Sequence, residues 1–178
     1  MKKKCLDDKV HMTEKFLAGE IGLVLDKVIA PDGKESVKED GRYFEFSDGE
    51  RVHCRYAVGE GVVVAMSYEK AGLSKEVFGE MPGWTDKSRA NAAYLPHKFV
   101  VEGVRCVRVK DLTEEDMLRA GVKKNLGGFY LVGGAVGGAE KECWRAFGRM
   151  FNLRSNVPYA LNPWVIVYDV TPVIGRAK

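Results

Sequence analysis

Apolar positions along the chain change period several times, and each change marks an element. Val10, Phe16 and Leu17 fall at helical spacing between a capping Asp7 or Asp8 and Gly19, which predicts a short first helix. Residues 21–29 are β-rich and apolar and predict a strand, followed by a Pro31-Asp32-Gly33 turn and a charged loop to Asp40. Residues 43–46 and 51–54 flank Ser47-Asp48-Gly49-Glu50, a hairpin signal. The run Val62-Val63-Val64-Ala65-Met66 has no polar member and reads as a buried strand. Residues 69–96 are irregular. From Phe99 to Val109 the pattern alternates, with Phe99, Val101, Gly103, Arg105, Val107 and Val109 on one face and a bend or bulge expected at Gly103.

Thr113-Glu114-Glu115-Asp116 opens a second helix, with Thr113 as its cap, acids at the positive end of the dipole, and Gly121 at its close. Paired glycines in residues 126–138 surround Phe129-Tyr130-Leu131-Val132 and predict a hairpin or flap. A third helix is expected over 139–151, with Trp144, Phe147 and Phe151 on one side. The last strand is expected over 164–170, led by Asn162-Pro163. Strands are not separated by regular helices, which disfavours a doubly wound sheet. The pattern predicts one α+β domain over residues 1–178, a small mixed β-barrel with about three short flanking helices and a Gly-rich insert at 126–138.

Composition narrows this little. The chain has 178 residues, 46% hydrophobic and 30% charged, with a net charge of +3. That excludes a disordered tail, and no apolar run is long enough to span a membrane. The distribution of charge says more. Residues 1–55 carry 11 basic and 12 acidic groups, residues 56–125 carry 11 and 10, and residues 126–178 carry 6 and 3. The excess falls on Lys141, Arg145, Arg149, Arg154, Arg176 and Lys178, a face that could attract phosphate if Arg145, Arg149 and Arg154 lie beside Lys87 and Arg89.

Cys5, Cys54, Cys106 and Cys143 form no Cys-x-x-Cys pair, and His11, His53 and His97 form no zinc motif, so no metal or other cofactor is expected. Free thiols and the lack of an apolar run after Met1-Lys2-Lys3-Lys4 point to a reducing cytoplasm. His53 and Cys54 are adjacent in a strand and point to opposite faces, which argues against a nucleophile–base pair. The glycine pairs lack the lysine and hydroxyl of a phosphate loop, and no G-x-S-x-G exists. One cluster does carry chemistry. Trp84, Lys87 and Arg89 precede His97 and Lys98, and Tyr68 closes the preceding strand. Aromatic faces interleaved with cations suit a stacked base with its phosphate held alongside.

The order of these pieces resembles the prophage-type ASCH domain family. Tyr56-Ala57-Val58-Gly59-Glu60 through Val64-Ala65-Met66-Ser67-Tyr68 is similar to that family's "Y-x-V-G-[DE]-x-x-x-V-x-[EQ]-[ST]-[WY]" strand. Tyr94-Leu95-Pro96, the segment Val104 to Asp116, and Asn162-Pro163-Trp164-Val165-Ile166-Val167-Tyr168 resemble its later motifs, and the likeness spans about residues 9–170. The resemblance implies a PUA-like barrel, an association with RNA, and in some members hydrolysis of an acylated nucleoside such as N4-acetylcytidine. The family's "G-R-K-T" motif falls on Gly19-Glu20-Ile21-Gly22, however, and its acidic or Gln position falls on Met66. Apolar side chains neither attack a carbonyl nor move a proton.

The expectation is therefore a non-catalytic module that binds single-stranded RNA or a nucleotide, with Tyr68, Trp84, Lys87, Arg89, His97 and Lys98 as contacts. A residual amidohydrolase, using Lys27 with Glu60 or Glu69, is the first alternative. An interaction protein with a relic cleft filled by Ile21, Leu23 and Met66 is the second.

Overall fold

The computed structural model describes residues 2–6, 12–31, 37–39, 42–132 and 138–175. The expected caps Asp7 and Asp8, the Pro31 turn beyond its first residue, and the cations Arg176 and Lys178 fall outside that set.

A five-stranded sheet carries the core. Its strands are β1 (Lys3–Cys5), β2 (Leu23–Ile29), β6 (Gly61–Ala65), β7 (Lys98–Arg108) and β11 (Trp164–Val173), in the order β1-β6-β7-β11-β2. β1 pairs with β6 in parallel and the other pairs are antiparallel. β11 sits between two neighbours and is covered on both faces: Val165, Ile166, Val167 and Tyr168 have no exposed surface. Its unbroken apolar run follows from that position. Two small sheets accompany the large one. β3 (Val37–Glu39), β4 (Tyr43–Phe46) and β5 (Arg51–His53) form a meander, and Gly49 takes the positive φ of 82° that the hairpin turn needs. β8 (Lys123–Lys124), β9 (Tyr130–Leu131) and β10 (Ala139–Glu140) form the other.

Among the described residues the sheets are not closed by hydrogen bonds into a barrel. The two edges of the five-stranded sheet nevertheless meet through side chains. The Lys4 ammonium of β1 donates to the Asp26 carboxylate of β2, with only 13% and 8% of the two side chains exposed.

The described residues hold four helices: α1 (Met12–Leu17), α2 (Lys75–Phe78), α3 (Glu114–Arg119) and α4 (Cys143–Arg154). Thr113 caps α3 as expected, accepting from the Asp116 amide at 3.1 Å while Asp116 accepts from the Thr113 amide at 3.0 Å. α4 begins later than the pattern suggested, because Ala139 and Glu140 are drawn into β10. Phe147 and Phe151 are buried against Tyr159, but Trp144 is 48% exposed beneath the Arg145 guanidinium.

The long strand alternates in two phases rather than one. Gly103 pairs with Asp169 and Val101 with Val170, which leaves Glu102 as an extra residue. This bulge puts Val104 and Cys106 on the face that Phe99 and Val101 began. Arg105 and Val107 therefore face away from Phe99. Arg105 turns to Asp116 at 2.6 Å and to Asp169 at 3.4 Å, and Asp169 also takes Arg119 at 2.8 Å.

Candidate functional site

The end of β6 delivers Met66 and Ser67 into a tight turn. The Ala71 amide bonds the Ser67 carbonyl, and the Leu73 amide bonds that of Tyr68. The chain then returns alongside itself, the amides of Tyr68 and Glu69 donating to the carbonyls of Gly83 and Trp84 at 2.9 and 3.2 Å. Gly83 is required there. A Cβ at this position would lie 2.6 Å from the Tyr68 ring and 2.7 Å from the Ala90 Cα. The next turn is set by Asp86, whose Oδ1 accepts from the Ser88 amide at 2.8 Å and its hydroxyl at 2.7 Å. Those bonds, the hydroxyl's first, hold the Asp86 carboxyl below its ordinary pKa.

Between these two turns and α1 lies a recess of about 240 Å³, lined by Thr13, Met66, Ser67, Lys70, Thr85, Asp86 and Lys87. Met66 is its one apolar lining residue, set among hydroxyls and charges. Lys87 reaches back to the Leu6 carbonyl at 3.0 Å, and Lys70 lies 3.8 Å from Glu14. Arg89 stands outside it, 70% exposed and 3.6 Å from Asp86. Lys3 ties the rim to β1 through the carbonyls of Ser88 and Ala90, at 3.1 and 2.8 Å. Lys98 is exposed on β7, and the register aligns it with Val63 and with Lys3 across three strands.

The six sequence candidates divide here. Lys87, Arg89 and the half-buried Trp84 belong to one loop at the recess, and Lys98 to the adjoining strand end. Tyr68 and His97 are not surface contacts. Tyr68 is 2% exposed, packed on Phe78 and Tyr94, and its hydroxyl accepts from the Asn91 amide at 2.7 Å. It shapes the loop and offers no face for stacking. His97 is 7% exposed, its Nδ1 is buried without a partner, and burial pushes its pKa down. Thr13, Ser67 and Lys70 were missed. Thr13 comes from another element, and a lone Ser or Lys in a turn gives no signal in a sequence.

The basic C-terminal third does not form one face. Arg145 and Arg154 are nine positions apart on α4, which puts them on opposite sides of it. Arg145 pairs with Glu142 at 2.6 Å and Arg149 with Glu140 at 2.8 Å.

Where the family motif was sought, Ile21, Leu23 and Met66 are each 1% exposed and belong to the core. Arg119 secures this segment, its Nη2 donating to the Gly22 carbonyl at 2.7 Å. Glu60 is taken by Lys2 at 2.9 Å and by the Ala57 amide at 3.0 Å, and the Lys27 side chain lies outside the described set. Burial raises the pKa of Cys106 to about 12 and of Cys143 to about 11, so neither thiol is a ready nucleophile. Among the described residues no three His, Cys, Asp or Glu side chains are grouped to hold a metal ion. No helix among them is long and apolar enough to cross a membrane.

A second cavity, about 760 Å³, opens on the other side of α1 beside Ala18, Leu131, Val132 and Lys15. The Lys15 ammonium is already engaged, donating to the Gly121 carbonyl at the end of α3. Comparison with family models, with curated proteins and with solved structures returned no match.

Proposed function

We propose that the protein is a non-catalytic, PUA-like module that binds single-stranded RNA or a nucleotide at the recess between α1 and the two turns. The observation that carries this reading is the meeting of Lys70 and Lys87 with Thr13, Ser67 and Thr85 around one recess. Hydroxyls and ammonium groups at a rim suit phosphate and sugar oxygens, and the half-buried Trp84 of the same loop suits a base. Trp84, Arg89 and Lys98 extend the same surface along the loop and the strand end. The cross-edge contact of Lys4 with Asp26 supports a barrel-like arrangement, and the motif likeness supports the ASCH assignment.

The alternative of a residual amidohydrolase has less behind it. Apolar, buried Ile21 and Met66 stand where the resemblance would put its reactive groups. The relic-cleft reading is favoured by that same filling, but the charged, open rim weighs against it.

The test is binding of a single-stranded RNA across a salt series. Affinity is expected to fall with log salt at about 0.7 per phosphate neutralised. Arg89→Ala and Lys70→Ala should each weaken binding several-fold and flatten that slope. Affinity that is undetectable, or indifferent to salt, refutes the proposal.

A further inference from the structure

The contact between Lys4 and Asp26 spans a seam, and the seam is not filled. A cavity of about 320 Å³ lies along it, lined by Lys4, Leu6, Leu25, Asp26, Val28, Met150, Phe151, Arg154 and Ser155. Leu25 and Val28 from β2 and Met150 and Phe151 from α4 give it apolar walls, while the Lys4–Asp26 pair, Arg154 and Ser155 make up its polar part. That volume is at the small end of ligand sites and suits one ring system rather than a chain.

The pair is incompletely used. Lys4 and Arg55 both approach Oδ1 of Asp26, Arg55 at 3.9 Å. Oδ2 has no hydrogen-bond partner among the described residues. It is also not sealed in, because the buried side-chain atoms without partners are Tyr56 Oη and His97 Nδ1. Lys4 spends one of its three donors on Oδ1. A carboxylate oxygen that opens onto the cavity accepts from whatever fills it, water or a ligand's N–H. Beside it stand the spare donors of an ammonium. Together they present an acceptor and a donor side by side.

We propose that this seam cavity binds a neutral heteroaromatic ring bearing an adjacent donor and acceptor, the edge pattern of an amino- or oxo-substituted nucleobase. An exocyclic amine or ring N–H would donate to Asp26 Oδ2, and a carbonyl or ring nitrogen would accept from Lys4. Leu25, Val28, Met150 and Phe151 would enclose the faces. The cavity adjoins the recess described above, because Leu6 lines the one while its carbonyl takes Lys87 of the other. The choice of a nucleobase rests on the nucleic-acid reading; the donor–acceptor seam does not.

The experiment uses the full chain and the four neutral ribonucleosides, titrated one at a time by calorimetry or by NMR shifts at low and high salt. One of them is expected to bind with little salt dependence, since it carries no phosphate. Asp26→Asn should weaken that binding about tenfold or more. Val28→Phe should abolish it by filling the cavity while leaving the ion pair in place, and it decides the matter if Asp26→Asn does not fold. Val77→Ala, at an exposed position outside both cavities, should leave it unchanged. Failure of every nucleoside to bind overturns the proposal, as does binding that survives Val28→Phe. The two readings fail separately: RNA binding without nucleoside binding sinks only the seam site. Nucleoside binding without salt-dependent RNA binding sinks only the phosphate-holding recess.

Discussion

Tyr68 shows how a residue can be read correctly for its chemistry and wrongly for its place. An aromatic next to a cationic loop is a fair candidate for stacking, and its hydroxyl is indeed close to that loop. What no local pattern reveals is that Gly83 and Asn91, far along the chain, close over the ring. The same closeness makes a prediction. Gly83→Ala forces its methyl group into the Tyr68 ring and the Ala90 backbone, and should cost about 1–3 kcal/mol in urea denaturation. A variant of unchanged stability would mean that the loop has room to relax. His97 was misplaced for a related reason: its imidazole carries a polar label, yet Nδ1 is enclosed and unpartnered.

Among the elements, those whose ends are written in local chemistry were legible. Thr113 and Gly121 bracket α3, and Gly49 turns the hairpin of β4 and β5. Thr113→Ala should lower stability by about 1 kcal/mol in a thermal melt. α3 also has a pH signature. Burial pushes the Asp116 carboxyl up, but its bonds to Arg105 and to the Thr113 amide outweigh this and hold its pKa below the ordinary 3.8. A depressed pKa contributes stability that is full above the ordinary value and lost as pH falls through the folded one. Asp116→Asn should therefore cost most at neutral pH, about 2 kcal/mol, and converge with the parent in melts as pH falls through the depressed folded-state value. A gap that widens in acid would contradict this. The phase change in β7 was half legible. Gly103 flagged a bulge, but only the pairing with β11 shows that Glu102 is the extra residue and that Arg105 thereby reaches Asp116. The start of α4 was misread because Ala139 and Glu140 answer to β9, not to their own helical neighbours.

For the molecule as a whole, the mixed class could be read from periodicity, whereas the short strands β1, β3, β8 and β10 and the way the sheet's edges meet could not. Lys4 and Asp26 look like ordinary surface charges in sequence, and they meet only because the two edge strands of the sheet come together. Their coupling can be measured. A double-mutant cycle of Lys4→Met and Asp26→Asn, read in chemical denaturation, should give about 1–3 kcal/mol. A value near zero would mean that the edges are held by apolar packing alone. The same scale explains why net charge misled. The basic excess of the last third is real, but α4 turns Arg145 and Arg154 to opposite sides, so a sum over sequence is not a sum over a face.

β1 has one further consequence. It is three residues long, precedes the other strands of its sheet, and pairs in parallel with a strand that begins at Gly61. During synthesis its partner does not yet exist when it emerges. It must wait, unpaired, until more than fifty further residues have appeared and β6 offers its edge. Closing so wide a loop for so few hydrogen bonds is entropically poor. Docking of β1 is therefore expected late in folding, completed as Lys4 meets Asp26 across the seam, and hydrogen exchange is expected to show its amides among the first to open.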